Sequence, residues 1–75
     1  MALQIHVERT AAANARAQAA RQKLSGREIA RRLDFSPVYV SRRLSGEVEF
    51  SESDLHSFAS VLGVTAATLL GETPE

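Results

Sequence analysis

Arginine is the residue type in this 75-residue chain whose side chain points most directly to a chemistry. Eight of the nine basic residues are arginine; Arg42 and Arg43 are adjacent, as are Arg31 and Arg32. A guanidinium group presents a fork of N–H donors that fits a phosphate, or the O6 and N7 atoms of a guanine. The basic side chains therefore indicate recognition of an anionic partner.

The net charge of zero hides a strong asymmetry along the chain. Residues 1–46 contain all nine basic residues and only three acidic ones, Glu8, Glu28 and Asp34, so this part carries +6. Residues 47–75 contain six acidic residues and no basic one, so they carry −6. Such a separation is typical of a protein that turns a basic face toward nucleic-acid phosphates.

Arg42 and Arg43 lie in the second of two short predicted helices. Ser25 followed by Glu28 has the spacing of a capping box and predicts a helix over 26–33. Ser36 before Pro37 predicts an N-cap followed by the first residue of a second helix, which ends at Gly46. Only residues 34–36 connect the two helices. This spacing predicts a helix-turn-helix over 25–46, whose second helix can enter the major groove of DNA.

A helical wheel of residues 37–45 assigns side chains to faces. With Val40 turned inward, Leu44 and Pro37 are predicted to face the core, whereas Arg42 lies at the centre of the outward face. Arg42 would read a guanine, and Val38 would contact a thymine methyl group. The predicted base contacts are Ser36, Pro37, Val38, Ser41 and Arg42; the predicted phosphate contacts are Arg21, Lys23, Arg27, Tyr39, Arg43 and Ser45. Two alternatives stay open: an ion pair for Arg43, and partial burial for Tyr39.

The remaining sequence also carries the signals at which helices start and end. Alanine occupies seven of residues 11–20, which predicts a first helix ending near Gln22. That helix starts either after Thr10 as its cap or earlier, with Ile5 or Val7 inside it. Ser51 and Thr65 are predicted to cap a fourth and a fifth helix, and Phe50, in the loop before the fourth, is expected to pack into the core. The buried stripe of the fourth helix is predicted to be Leu55, Phe58, Ala59 and Leu62. The predicted fold is all-α, with one domain over 1–71 and a frayed tail over 72–75.

The pattern resembles the phage repressor and Cro-like helix-turn-helix family, with its lambda repressor-like DNA-binding domain. The resemblance is carried by Ala30, Asp34, Val40 and Gly46, and downstream by Leu55, Ala59, Leu62, Gly63, Val64, Leu69 and Leu70. It implies a compact five-helix domain with the helix-turn-helix as helices 2 and 3. It also implies binding to a palindromic double-stranded DNA operator, as a possible homodimer. Two positions depart from the family: Asp34 stands where glycine is usual, and Arg43 where an apolar residue is usual, so Leu44 is expected to supply the missing packing.

Other classes of function find no support in the sequence. The chain has no cysteine, and His6 and His56 are isolated, so no metal site or cofactor is predicted. No nucleophile elbow or glycine-rich phosphate loop occurs, so neither an enzyme nor a small-molecule substrate is expected. No apolar run approaches the roughly 20 residues that span a bilayer. We expect a cytoplasmic protein without membrane contact.

Together these features predict a sequence-specific, DNA-binding transcriptional regulator, most simply a repressor or Cro-like protein. Two alternatives remain at this point. The scaffold could serve as a protein-interaction module of the anti-repressor or antitoxin kind. The chain could also be the N-terminal part of a larger regulator whose remaining part supplies oligomerisation.

Overall fold

The computed structural model describes residues 7–71, with side chains from residue 11 onward. Its helices are α1 (Val7–Arg21), α2 (Gly26–Leu33), α3 (Pro37–Ser45), α4 (Glu52–Leu62) and α5 (Ala66–Leu69). Between residues 7 and 71 there is no strand. The prediction of an all-α domain with five helices is confirmed. The predicted frayed tail at 72–75, and the expectations for Ile5 and His6, lie outside the described residues.

Each helix from α2 to α5 begins at the predicted hydroxyl cap. Ser25, Ser36, Ser51 and Thr65 all have extended backbone, and each side-chain oxygen accepts the N–H of the residue three positions later. These bonds satisfy donors that a helix leaves unpaired in its first turn. The four boundaries of the sequence analysis are therefore confirmed. At α1 the helix includes Thr10, so the alternative in which Thr10 precedes the helix as its cap is wrong.

One predicted cap is only half formed. Glu28 donates its backbone N–H to Ser25, but its carboxylate accepts from Arg31 and Arg32 instead of returning to the Ser25 backbone. Two guanidinium groups within one helical turn compete better for a carboxylate than one neutral amide does. At α4, by contrast, Ser51 and Asp54 form the complete reciprocal capping box.

Three helices end in the same way. Lys23, Asp34 and Gly63 have left-handed backbone, with φ of 59°, 61° and 71°. The next residue in each case, Leu24, Phe35 or Val64, donates its N–H to the carbonyl five positions earlier and packs its side chain against the core. This is the Schellman motif with its usual hydrophobic contact. Asp34 thus adopts the conformation for which the family uses glycine, which aspartate tolerates better than most residues.

The helices enclose one apolar core. Its fully buried members are Ala15, Ala19, Ile29, Ala30, Val40, Phe58, Ala59, Leu62 and Leu69. Leu44 and Phe50 are half-buried against it, and the rings of Phe50 and Phe58 lie 4.9 Å apart. Both were predicted to pack there. Gly26 lies where α2 packs on α3: a Cβ added to it would be in ordinary van der Waals contact with Leu44 Cδ1, at 3.6 Å.

Polar side chains of α1 bind the carboxyl ends of three other helices. Asn14 Nδ2 donates to the Leu69 carbonyl in α5, and Gln22 Nε2, just after α1, donates to the Leu62 carbonyl in α4. Arg16 donates to the Leu44 carbonyl in α3. The last carbonyls of a helix have no partner within it, so these bonds satisfy groups that would otherwise need water. No local pattern in the sequence predicts these three bonds. No helix within residues 7–71 is long and apolar enough to cross a membrane.

Candidate nucleic-acid interface

The outward face of α3 is built from its exposed residues. Val40 is fully buried and fixes the rotation of the helix, while Val38, Ser41, Arg42 and Ser45 are exposed. Val38 is the most unusual of these, because 58% of its surface is exposed. Among the described residues it is the one large hydrophobic residue that is exposed to solvent. Burial accordingly follows the predicted wheel at these positions.

Pro37 differs from its predicted orientation. The wheel turned it toward the core, but the side chain is exposed. As the first residue of α3 it lies at the edge of the helix, beyond the reach of the core residues that cover Val40. Ser36 is exposed as well, and its hydroxyl oxygen accepts the Tyr39 N–H. The hydroxyl proton of Ser36 is left to donate outward.

Arg42 is the free arginine of the pair. Its side chain is exposed, and among the described residues no carboxylate lies within 4 Å of its guanidinium. Val38 precedes it by four residues, so the two side chains are neighbours on the same face of α3. The face thus combines a donor fork with an adjacent apolar group.

Arg43 has a different environment. Its Nε donates to Asp54 Oδ2 at 3.1 Å, its guanidinium carbon lies 3.7 Å from the centre of the Tyr39 ring, and only 17% of its side chain is exposed. The ion-pair alternative for Arg43 is therefore present. Tyr39 is half-buried, and its hydroxyl donates to Asp54 Oδ1. Both side chains predicted to contact phosphate are instead engaged inside the protein.

Asp54 is the centre of this network, and it was not among the site residues predicted from the sequence. It is 2% exposed, and its carboxylate accepts from Tyr39, Arg43 and the Ser51 N–H. Burial alone would raise the pKa of Asp54, but the bonds from Tyr39, Ser51 and Arg43 outweigh it and lower the pKa below its usual 3.8. The bond to Asp54 raises the pKa of Tyr39 above 10. The unusual arginine at position 43 was the available signal, because a partly buried arginine needs a counter-ion.

The other basic residues fall into distinct settings. Arg31 and Arg32 pair with Glu28 on the surface of α2, and the bonds from Arg31 and then Arg32 lower the pKa of Glu28 to about 2. Arg27 is exposed, and it lines a shallow depression together with Pro37, which brings it beside the start of α3.

Arg21 and Lys23 are exposed at the end of α1. The intervening Gln22 is bound to the end of α4, and no hydrogen bond among the described residues links Arg21 or Lys23 to α3. The hydroxyl of Ser45 closes the end of α3, where it donates to the Arg42 carbonyl and accepts the Glu47 N–H. Of the predicted phosphate contacts outside α3, Arg27 is thus the one that lines a depression together with the start of α3. Within the described residues, no group of three or more histidine or acidic side chains could hold a metal ion.

Comparison with known proteins agrees with this geometry. The fold is similar to the crystal structure of the hypothetical transcription factor NHTF from Neisseria, with a TM-score of 0.81 and 26% sequence identity. The match covers 93% of this chain and 83% of that one. No curated protein sequence matches the chain. A family model described as a helix-turn-helix domain matches residues 8–70, which include all of α2 to α5. This protein belongs to that family of helix-turn-helix domains.

Proposed function

We propose that this protein is a sequence-specific transcriptional regulator that binds double-stranded DNA, with α3 in the major groove of its operator. The observation that carries the proposal is the outward face of α3, where an unpaired Arg42 stands beside an exposed Val38. Membership of the helix-turn-helix family and the likeness to a transcription factor support it. The resemblance noted in the sequence favours a repressor or Cro-like role in the cytoplasm, without an enzymatic step.

Each side chain has a proposed role. Arg42 donates to O6 and N7 of a guanine, and Val38 packs on the methyl group of a thymine. Ser36, Pro37 and Ser41 contact neighbouring base edges. Phosphate contacts come from Arg27, Arg21 and Lys23. Ser45 is left out of this set because its hydroxyl already donates to the Arg42 carbonyl. Arg43 and Tyr39 are left out because the Arg43 Nε and the Tyr39 hydroxyl already donate to Asp54.

The operator must first be obtained, by selection of bound duplexes from a random library. Affinity for the selected and for a random duplex is then measured by fluorescence anisotropy at several salt concentrations. With three charged phosphate contacts per chain, from Arg27, Arg21 and Lys23, log affinity should fall with log salt at a slope of about −3. A slope near zero would contradict DNA binding and favour the protein-interaction module.

A pair of variants tests the role of α3. Arg42→Ala should cost about 1 to 3 kcal/mol on the selected duplex and much less on the random one, because a base contact contributes only where its base is present. The matched control is Arg32→Ala, which removes the same charge from a side chain already paired with Glu28. The control should keep the ratio of the two affinities. Equal ratios in both variants would mean that Arg42 does not read a base.

A further inference from the structure

The two adjacent arginines of α3 are in opposite states. Arg42 is exposed without an acidic partner among the described residues, whereas Arg43 is bound on two sides. Asp54 Oδ2 accepts a hydrogen bond from the Arg43 Nε, and the Tyr39 ring covers the flat face of the Arg43 guanidinium. A helix that contacts DNA through phosphates would gain from a second free arginine. Here that arginine is held against the protein instead.

The holding group is built into the fold. Asp54 is fixed in the first turn of α4 by its capping box with Ser51, and it is almost completely buried. Its two oxygens divide their partners: Oδ1 accepts from Tyr39, and Oδ2 accepts from Arg43 and the Ser51 N–H. No buried side-chain nitrogen or oxygen in the described part of the chain lacks a partner. Moving Arg43 to a phosphate would break the bond from its Nε to Asp54 Oδ2 and its contact with the Tyr39 ring, and would leave the buried carboxylate without its cation.

We infer that Asp54 withholds Arg43 from the DNA backbone and thereby limits the affinity of this protein for DNA of any sequence, non-operator DNA included. The inference rests on the proposed function and deepens it. Phosphate contacts strengthen binding to every sequence alike, whereas base contacts strengthen binding to one. An arginine that is neutralised within the protein therefore lowers the affinity for operator and for random duplex by the same factor. The absolute affinity for non-operator DNA falls, while the ratio of the two affinities stays the same.

Two substitutions test this inference, and different effects on the salt slope are expected from them. Arg43→Gln removes the withheld charge, and it should leave the salt slope on random duplex as in the unmodified protein. Asp54→Asn keeps the shape of the side chain but removes its charge, so Arg43 becomes free to bind a phosphate. The slope should then steepen by about one unit, and affinity for random duplex should rise on the order of five- to tenfold at 0.1 M salt. Affinity for the operator should rise by a similar factor, so the ratio of the two affinities should stay the same.

Two controls separate this effect from net charge and from loss of structure. Glu52→Gln removes the same charge from an exposed residue in the same turn of α4, and it should not change the slope. The double variant Asp54→Asn with Arg43→Gln should return the slope to that of the unmodified protein. A purely structural role for Asp54 would lower the melting temperature and weaken binding to both duplexes, with no steeper slope.

The outcomes are distinct. A slope reduced by about one unit in Arg43→Gln would mean that Arg43 contacts phosphate, and it would overturn the inference while leaving DNA binding intact. An unchanged slope in a folded Asp54→Asn, or equal effects of Asp54→Asn and Glu52→Gln, would also overturn it. If Asp54→Asn does not fold, Arg43→Gln decides alone, since an unchanged slope supports the inference and a reduced one refutes it. A slope near zero in the unmodified protein would refute the proposed function itself.

Discussion

Lys23 and Asp34 offer a direct measurement of how charge acts at the end of a helix. Both have left-handed backbone, with φ of 59° and 61°, and both are exposed. Each is followed by a residue whose N–H bonds to the carbonyl five positions earlier, Leu24 to Ala19 and Phe35 to Ala30. The two positions therefore share one geometry and carry opposite charges.

Glycine at either position removes the strain that a Cβ causes there, about 1 to 2 kcal/mol, and adds about 0.4 to 1 kcal/mol of freedom to the unfolded chain. These two terms largely cancel when the variants are compared with each other. The interaction between the side-chain charge and the helix end does not cancel, because the two charges are opposite. The carboxyl end of a helix carries a partial negative charge, so a lysine there stabilises and an aspartate destabilises by about 0.3 to 1 kcal/mol each.

Asp34→Gly should therefore be the more stable variant, by about 1 kcal/mol after allowance for the smaller strain of aspartate. In a domain of this size that corresponds to a difference of about 4 to 8 °C in melting temperature. Thermal and urea unfolding followed by circular dichroism measure it. Asp34→Asn is the control that removes the charge and keeps a side chain that tolerates the left-handed region.

Salt decides whether charge is the cause. At 1 M ionic strength the screening length is about 3 Å, so the difference between the two glycine variants should largely disappear. The reasoning is refuted if the difference persists unchanged in high salt, or if Lys23→Gly is the more stable variant in low salt.

Three further predictions concern the core, the buried carboxylate and the end of α4. Ala30 is 2% exposed, so Ala30→Leu should overpack the core by about 1 to 3 kcal/mol and lower both the melting temperature and DNA affinity; lost binding with an unchanged melting temperature would contradict this. Because the folded-state pKa of Asp54 lies below its usual 3.8, its stabilising effect is present above that pH and is lost as the pH falls through the folded pKa. The acid side of the melting temperature against pH should be flatter in Asp54→Asn, and an equally steep curve would show that other groups cause the acid loss. Gln22→Ala leaves the Leu62 carbonyl to water and should cost about 1 kcal/mol in urea unfolding, while an effect near zero would mean that water replaces the bond without loss.

Local signals account for the part of the fold that was predictable. A hydroxyl cap or a glycine acts within three or four residues, so the starts of α2 to α5 could be located from Ser25, Ser36, Ser51 and Thr65 alone. The wheel of α3 succeeded for the same reason, since one buried residue, Val40, fixes the rotation of a regular helix. It failed at Pro37, because at a helix end the neighbouring elements decide burial.

Contacts between distant residues account for what the sequence did not reveal. Glu28 has the spacing of a capping box, but two arginines on its own helix take the carboxylate. The bond from Asn14 to the Leu69 carbonyl joins residues 55 positions apart, and no local pattern encodes it. Arg43 was recognised as out of place in the family pattern, yet its partner Asp54 could be identified only once α3 and α4 were packed. The contacts proposed for Val38, Ser41 and Arg42 remain predictions.

The bonds that α1 makes with other helix ends have a consequence for the order in which the chain can fold. A protein is synthesised from its N-terminus, so α1 leaves the ribosome first. Its partners Leu44, Leu62 and Leu69 emerge later, the last of them only when nearly the whole described chain has been made. Until then α1 is an alanine-rich helix that lacks some of its bonding partners. An isolated helix of 15 residues is only marginally stable in water. The first of the five helices to be made thus completes its contacts only once α5 has been made, and the domain should fold as one unit rather than helix by helix.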